Sequence, residues 1–219
     1  MVNISTEDYL KAIYQINTEK NEAATTTEVA CKLDISKAAT TEMVQKLSER
    51  GFINYEKYKG VELTDEGKKI ALQILRRHRL WELFLIKVLG LTWSEVHDEA
   101  ERLEHTTSDL LINKIDEYLG FPDFDPHGSP IPDKFGVLPE MPALTPLSEC
   151  DTGISYRIML VNDASNELMN YFTSIGIELK TELYLSGRLD FDRTLFIEIN
   201  GIRHPVTEKM AKHLFVEKV

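Results

Sequence analysis

Seven of the eight prolines in this 219-residue chain fall between Pro122 and Pro146, in the stretch FPDFDPHGSPIPDKFGVLPEMPALTPL. Proline fixes φ and has no amide hydrogen to donate, so this stretch can be neither a regular helix nor a central strand. It reads as a linker, residues 121–150, between an N-terminal helical region of about 120 residues and a C-terminal region of about 70. The divisions expected are a first helical unit at 1–75, a second at 76–120, the linker, and a β-rich unit at 151–219.

The helical region follows a recognisable order. Ser5-x-x-Asp8 opens a first helix with Tyr9, Ile13 and Ile16 on one face. A short helix over about 27–33 follows, with Val29, Ala30 and Leu33 inward. After a turn at Asp34-Ile35, Ser36 caps a third helix whose Ala39, Met43, Val44 and Leu47 face inward until Gly51 ends it. Residues 52–63 read as two short strands around a Lys-Gly turn, and Thr64 starts a long helix to about Leu89. Ser94 is expected to cap the next helix, and one more runs to Leu119. Two short helices, a turn, a third helix and a two-stranded ribbon make a winged helix-turn-helix. The third helix offers Ser36, Lys37, Ala38, Thr40 and Thr41 to a major groove. The ribbon tip offers Lys57, Tyr58 and Lys59 to phosphates.

Charge distribution supports that placement. The net charge is -11, yet residues 1–80 hold 13 Lys and Arg against 12 Asp and Glu, leaving 12 against 24 for the remainder. Only the first third suits a polyanion.

The densest chemistry lies in His97-Asp98-Glu99-Ala100-Glu101-Arg102-Leu103-Glu104-His105. On a helix, His97, Glu101, Glu104 and His105 share an arc of about 100°. Two imidazoles and two carboxylates on one stripe suit a divalent first-row ion. Without a cation on the stripe, Glu101 and Glu104 would repel. The rival reading is a solvated charged face.

These features together resemble the DtxR/MntR family of metal-dependent transcriptional repressors. The resemblance spans nearly the whole chain. Its most specific parts are YEKYKGVELTDEGKKIA at 55–71, RRHRLWE at 76–82 and VHDEAERLEH at 96–105. It implies a first metal site of Asp8, Glu101, Glu104 and His105. It implies a second from His78, Glu82 and His97, completed by Asp125, His127 or Asp163. Iron-responsive members carry Cys and Met where this chain has Glu101 and Asp8. Carboxylates favour harder ions, which puts Mn2+ first and Fe2+ second, with two sites per subunit. Manganese-type members often carry a second acid at the position of Lys11, so a two-metal cluster of that kind is not expected. The resemblance also implies a homodimer through the helices between Thr92 and Leu119 (Leu110, Leu111 and Ile115), a palindromic DNA operator, and a C-terminal SH3-like barrel of the FeoA type.

In the metal-free state, repulsion among the first-site carboxylates is expected to leave the first helix free to fray or tilt. Two cysteines without a CxxC, Cys31 and Cys150, fit a reducing cytoplasm, and no run reaches the 18 apolar residues of a membrane span. An N-terminus without a basic and then an apolar stretch is not expected to be a secretory signal. An enzyme is not expected: Glu101-x-x-Glu104 lacks the Glu-x-x-His of di-iron bundles, and no phosphate-binding fingerprint is present. A winged-helix regulator answering a non-metal ligand is the alternative.

Overall fold

The computed structural model describes residues 4–56, 59–162 and 165–219. They fall into two compact units. The first runs to His78 and adds Leu103–Ser108 and Pro132–Val137; the second comprises Arg79–Arg102, Asp109–Ile131 and Leu138–Val219.

In the first unit, α1 (Ile4–Lys20), α2 (Thr26–Lys32) and α3 (Lys37–Glu49) precede a hairpin of β1 (Ile53–Glu56) and β2 (Gly60–Leu63). The first helix starts at Ile4, so Ser5 lies inside it rather than at its cap. Thr25 closes a capping box with Glu28 at the start of α2, and Ser36 Oγ accepts from Ala39 N at the start of α3. Gly60 sits at φ +109, and a Cβ there would lie 2.8 Å from the Cβ of Ala23. That close approach lets Ala24 pair with Val61 as a third rung beside the hairpin. The core gathers Tyr9, Leu10, Ile13, Val29, Val44, Leu47, Ile53 and Val61.

A 25-residue helix, α4 (Asp65–Leu89), follows, then α5 (Trp93–Glu104) and α6 (Asp109–Tyr118). Thr92, not Ser94, precedes α5, and its amide and hydroxyl both donate to Glu95. Leu80, Leu83, Ile112, Ile115 and Ile131 form a second core.

The C-terminal sheet is antiparallel, with β3 (Thr145–Pro146), β4 (Ile154–Val161), β5 (Glu182–Arg188), β6 (Leu195–Ile199), β7 (Ile202–Val206) and β8 (Leu214–Lys218) in the order β3-β8-β4-β5-β6-β7. Helices α7 (Asn166–Ser174) and α8 (Glu208–Ala211) interrupt it. Asn200 and Gly201, at φ 52 and 78, turn β6 into β7. Phe172, Ile158, Leu185, Ile197 and Leu214 fill its core. No described helix is long and apolar enough to cross a membrane.

Candidate metal centre

In the first unit the functional groups converge on α1. Asp8, Glu104 and His105 each offer a ligand atom, and these atoms lie within 4.8 Å of one another. His105 Nε2 is 2.8 Å from Asp8 Oδ1 and 3.3 Å from Glu104 Oε1. Its Nδ1 meets Glu7 Oε2 at 2.8 Å. This is the arrangement in which a carboxylate orients an imidazole and leaves the other nitrogen for an ion. Burial alone would lower the proton affinity of His105, but the hydrogen bonds to Asp8 and Glu7 and the charge of Glu104 outweigh it and raise its pKa from 6.5 to about 9.

Glu104 is fully buried, and both its oxygens are engaged: Lys11 Nζ lies 2.6 Å from Oε1 and His78 Nδ1 lies 2.6 Å from Oε2. The expected repulsion among first-site acids is therefore answered in this chain by its own cations, the Lys11 ammonium and the protonated His105 imidazole. His78, expected among second-site ligands, meets Glu104. Residue-level reasoning missed Glu7 as a partner of His105 and treated Lys11 only as a departure from the family pattern. Both stand within one turn of Asp8 on α1, and that proximity was the only local signal.

Helix α1 also holds the recognition helix. Arg50 Nη1 donates to Thr6 Oγ1 at 3.3 Å, and Tyr9 is hydrogen-bonded to Thr40. Thr40, expected to face DNA, is fully buried, and its hydroxyl donates to Ser36 O. Ala39, expected inward, is exposed. The inward stripe of α3 is Thr40, Val44 and Leu47, spaced i, i+4, i+7, so Thr40 takes the core position. Ser36 is spent on the cap, and the Thr41 hydroxyl donates to Lys37 O at 2.8 Å. Lys37, Ala38, Glu42, Gln45 and Lys46 are outward on α3, and Lys59 is exposed beside the hairpin turn. Glu42 and Gln45 were not anticipated. Lys57 and Tyr58 lie outside the described residues, as does Asp163.

The second unit brings another set together. His97 Nδ1 is 3.5 Å from Glu82 Oε1, and its Nε2 is 3.8 Å from Glu101 Oε1. His127 Nε2 is 3.9 Å from the same Glu82 oxygen. The His127 ring is buried 5.0 Å from that of Trp93, and neither of its nitrogens makes a hydrogen bond among the described residues. Asp125 Oδ1 accepts from the amides of His127 and Ser129, and its Oδ2 lies 3.7 Å from Arg79 Nε. Burial, reinforced by Glu82, pushes the Asp125 carboxyl well above the usual carboxylate range. Two buried carboxyls beside a buried imidazole with open nitrogens are a donor set that a divalent cation fits. Gly128 at φ +91 holds this turn against β4: a Cβ there would fall 2.2 Å from Met159 O, and Val161 N donates to His127 O at 2.8 Å.

A helical DNA-reading unit with carboxylate–imidazole clusters defines a class, the metal-responsive DNA-binding regulator, and comparison with known proteins places the chain within it. Residues 1–61 match the iron dependent repressor N-terminal DNA binding domain, 64–133 its metal binding and dimerisation domain, and 145–218 the FeoA domain. A solved manganese-dependent transcriptional repressor in complex with manganese is 36% identical, with a TM-score of 0.87, covering 98% of this chain and all of that one. ScaR with bound Zn2+ is 35% identical at a TM-score of 0.84, covering 98% and 99%. The HTH-type transcriptional regulator MntR of Bacillus pumilus is 36% identical over 121 residues, 55% of this chain and 83% of that protein. The chain belongs to the iron-dependent (DtxR/MntR) repressor family, whose members are metal-dependent transcriptional repressors and not enzymes.

Proposed function

We propose that this repressor uses Mn2+, with Fe2+ second, as co-repressor at two sites per subunit, and binds a palindromic operator as a cytoplasmic homodimer. The observation that carries this reading is the convergence of Asp8, Glu104 and His105 on a helix that also grips α3. We assign Glu101, one turn before His105, as the fourth ligand of the first site. The second site takes His78, Glu82 and His97, completed by Asp125 and His127, with Asp163 a further candidate. A bound divalent ion supplies the charge that lets several carboxylates and a neutral imidazole face one another. The chain does the rest. Asp8 ties α1 to the last turn of α5, and Thr6 and Tyr9 pass that position to Arg50 and Thr40 of the DNA-reading element. The coupling needed is modest, about 1–3 kcal/mol between ion and operator.

Lys37, Ala38, Thr41 and the hairpin lysines Lys57 and Lys59 are the DNA contacts we assign from the expected set, with Glu42 and Gln45 added. Hard oxygen donors at Asp8 and Glu101, in place of sulfur, support manganese. The C-terminal sheet is read as the SH3-like barrel of FeoA domains. Dimerisation is assigned to the outward face of α6. Leu110 and Leu111 lie on it, whereas Ile115, expected there, packs inside its own subunit.

The test is a gel-shift series with Mn2+, Fe2+, Zn2+ and chelator on DNA upstream of this gene and of nearby transporter genes. Mn2+ should tighten binding by the wild type, and His105→Ala and Glu101→Ala should abolish that response while keeping the circular dichroism of the parent. Equal operator binding with and without chelator would point to a non-metal effector.

A further inference from the structure

Lys11 is a buried cation inside a site built for a cation. It stands one turn beyond Asp8 on α1, is 7% exposed, and places Nζ 2.6 Å from Glu104 Oε1, across 93 residues of sequence. The same oxygen lies 3.3 Å from His105 Nε2, so ammonium and ligand set meet at one edge of one carboxylate. Other titratable groups beside this carboxylate are His78, on Oε2, His105, and Asp8, whose ligand oxygen lies within 4.8 Å of that of Glu104. Removing one partner of a buried pair leaves the other charge uncompensated, which is far costlier than losing a surface contact. The pair joins α1 to the last turn of α5, the two elements that a divalent ion on Asp8, Glu104 and His105 would also join.

We propose that Lys11 is a tethered stand-in for the divalent ion: in the metal-free chain its ammonium at Glu104 keeps α1 seated, so that metal reinforces an existing link instead of creating it. The inference rests on the first-site reading above. It gives the switch a defined resting state, because a chain whose α1 is held by a monovalent link is folded and poised but held less firmly than with a divalent one. It also places a permanent positive charge against the ion, which holds affinity below what the same ligands would reach alone.

Hydrogen exchange of the α1 amides in the full-length protein, in chelator and in saturating Mn2+, tests this, with Mn2+ binding to each variant measured by calorimetry. In Lys11→Met, a length-matched side chain without charge, α1 exchange in chelator should rise by at least about tenfold over wild type, as expected for a buried charge left without its partner. Mn2+ should return it to the wild-type level. Lys11→Arg should behave as wild type in both conditions. Unchanged α1 exchange in Lys11→Met would overturn the proposal. So would loosening that bound Mn2+ fails to reverse, or a variant that stays unfolded with and without the ion, since a stand-in must be replaceable by what it stands for. A wild type that takes up no Mn2+ at the first site would instead defeat the first-site reading and take this inference with it.

Discussion

At the scale of single residues, His105, which we propose as a first-site ligand, has carboxylates at both ring nitrogens. Glu7 holds Nδ1 while Asp8 and Glu104 face Nε2, and these carboxylates keep the ring protonated up to about pH 9. A protonated imidazole is no ligand, so ion and proton compete. The sign follows. In the metal-free protein, the stabilisation from protonated His105 is complete below the ordinary value of 6.5 and is lost as pH rises through about 9. Metal affinity runs the other way. First-site Mn2+ affinity should climb by about tenfold per unit between pH 7 and 8 and level off above the His105 pKa. Calorimetry in buffers of differing ionisation enthalpy should show about one proton released per first-site ion at pH 7. A pH-independent affinity would remove His105 from the ligand set.

At the scale of elements, each cluster depends on a short piece of chain being pressed into place. Helix α1 contributes Asp8, Lys11 and Glu7 to one side and Thr6 and Tyr9 to another, so a single element carries both the proposed ion site and the contacts to α3. The Asp125–His127 turn is positioned by β4 through Gly128, where backbone approaches backbone too closely for a side chain. Gly128→Ala should push the turn away from Met159, costing the second ion while leaving the first. Metal analysis after dialysis should then show one ion lost per subunit, with the first-site affinity kept. Retention of both ions would mean that Asp125 and His127 hold none. Much of this level was legible in advance: Ser36 as a cap, the hairpin around Gly60, and the long helix from Thr64 all follow from local turn and capping chemistry. The inward register of α3 was not, because Ala39 and Thr40 are adjacent and small, and only the surrounding core decides which one it takes.

At the scale of the whole molecule, acidity and basicity are partitioned: 13 basic against 12 acidic residues up to position 80, and 12 against 24 beyond. That suits the N-terminal part, where residues 1–61 match a DNA binding domain, to a polyanion. On α6, Leu110 is 74% and Tyr118 is 70% exposed. Apolar exposure of this kind, in a segment matching a dimerisation domain, should be covered in the working repressor. Leu110→Glu should convert dimers to monomers in sedimentation and, on the palindromic operator proposed above, weaken binding, while Mn2+ uptake by each subunit persists. A dimer undisturbed by that charge would place the interface elsewhere.

The winged-helix order, the stripe of carboxylates and imidazoles on α5 and the irregular course of the proline stretch were set by amino-acid order alone, since helical spacing, capping and proline's missing amide are local properties. Folding decided which charges answer which. Lys11 finds Glu104 across 93 residues and Glu7 finds His105 across 98, and β8 inserts between β3 and β4. Such pairings minimise the cost of burying charge and unpaired backbone, a cost that exists only once distant segments have excluded water together.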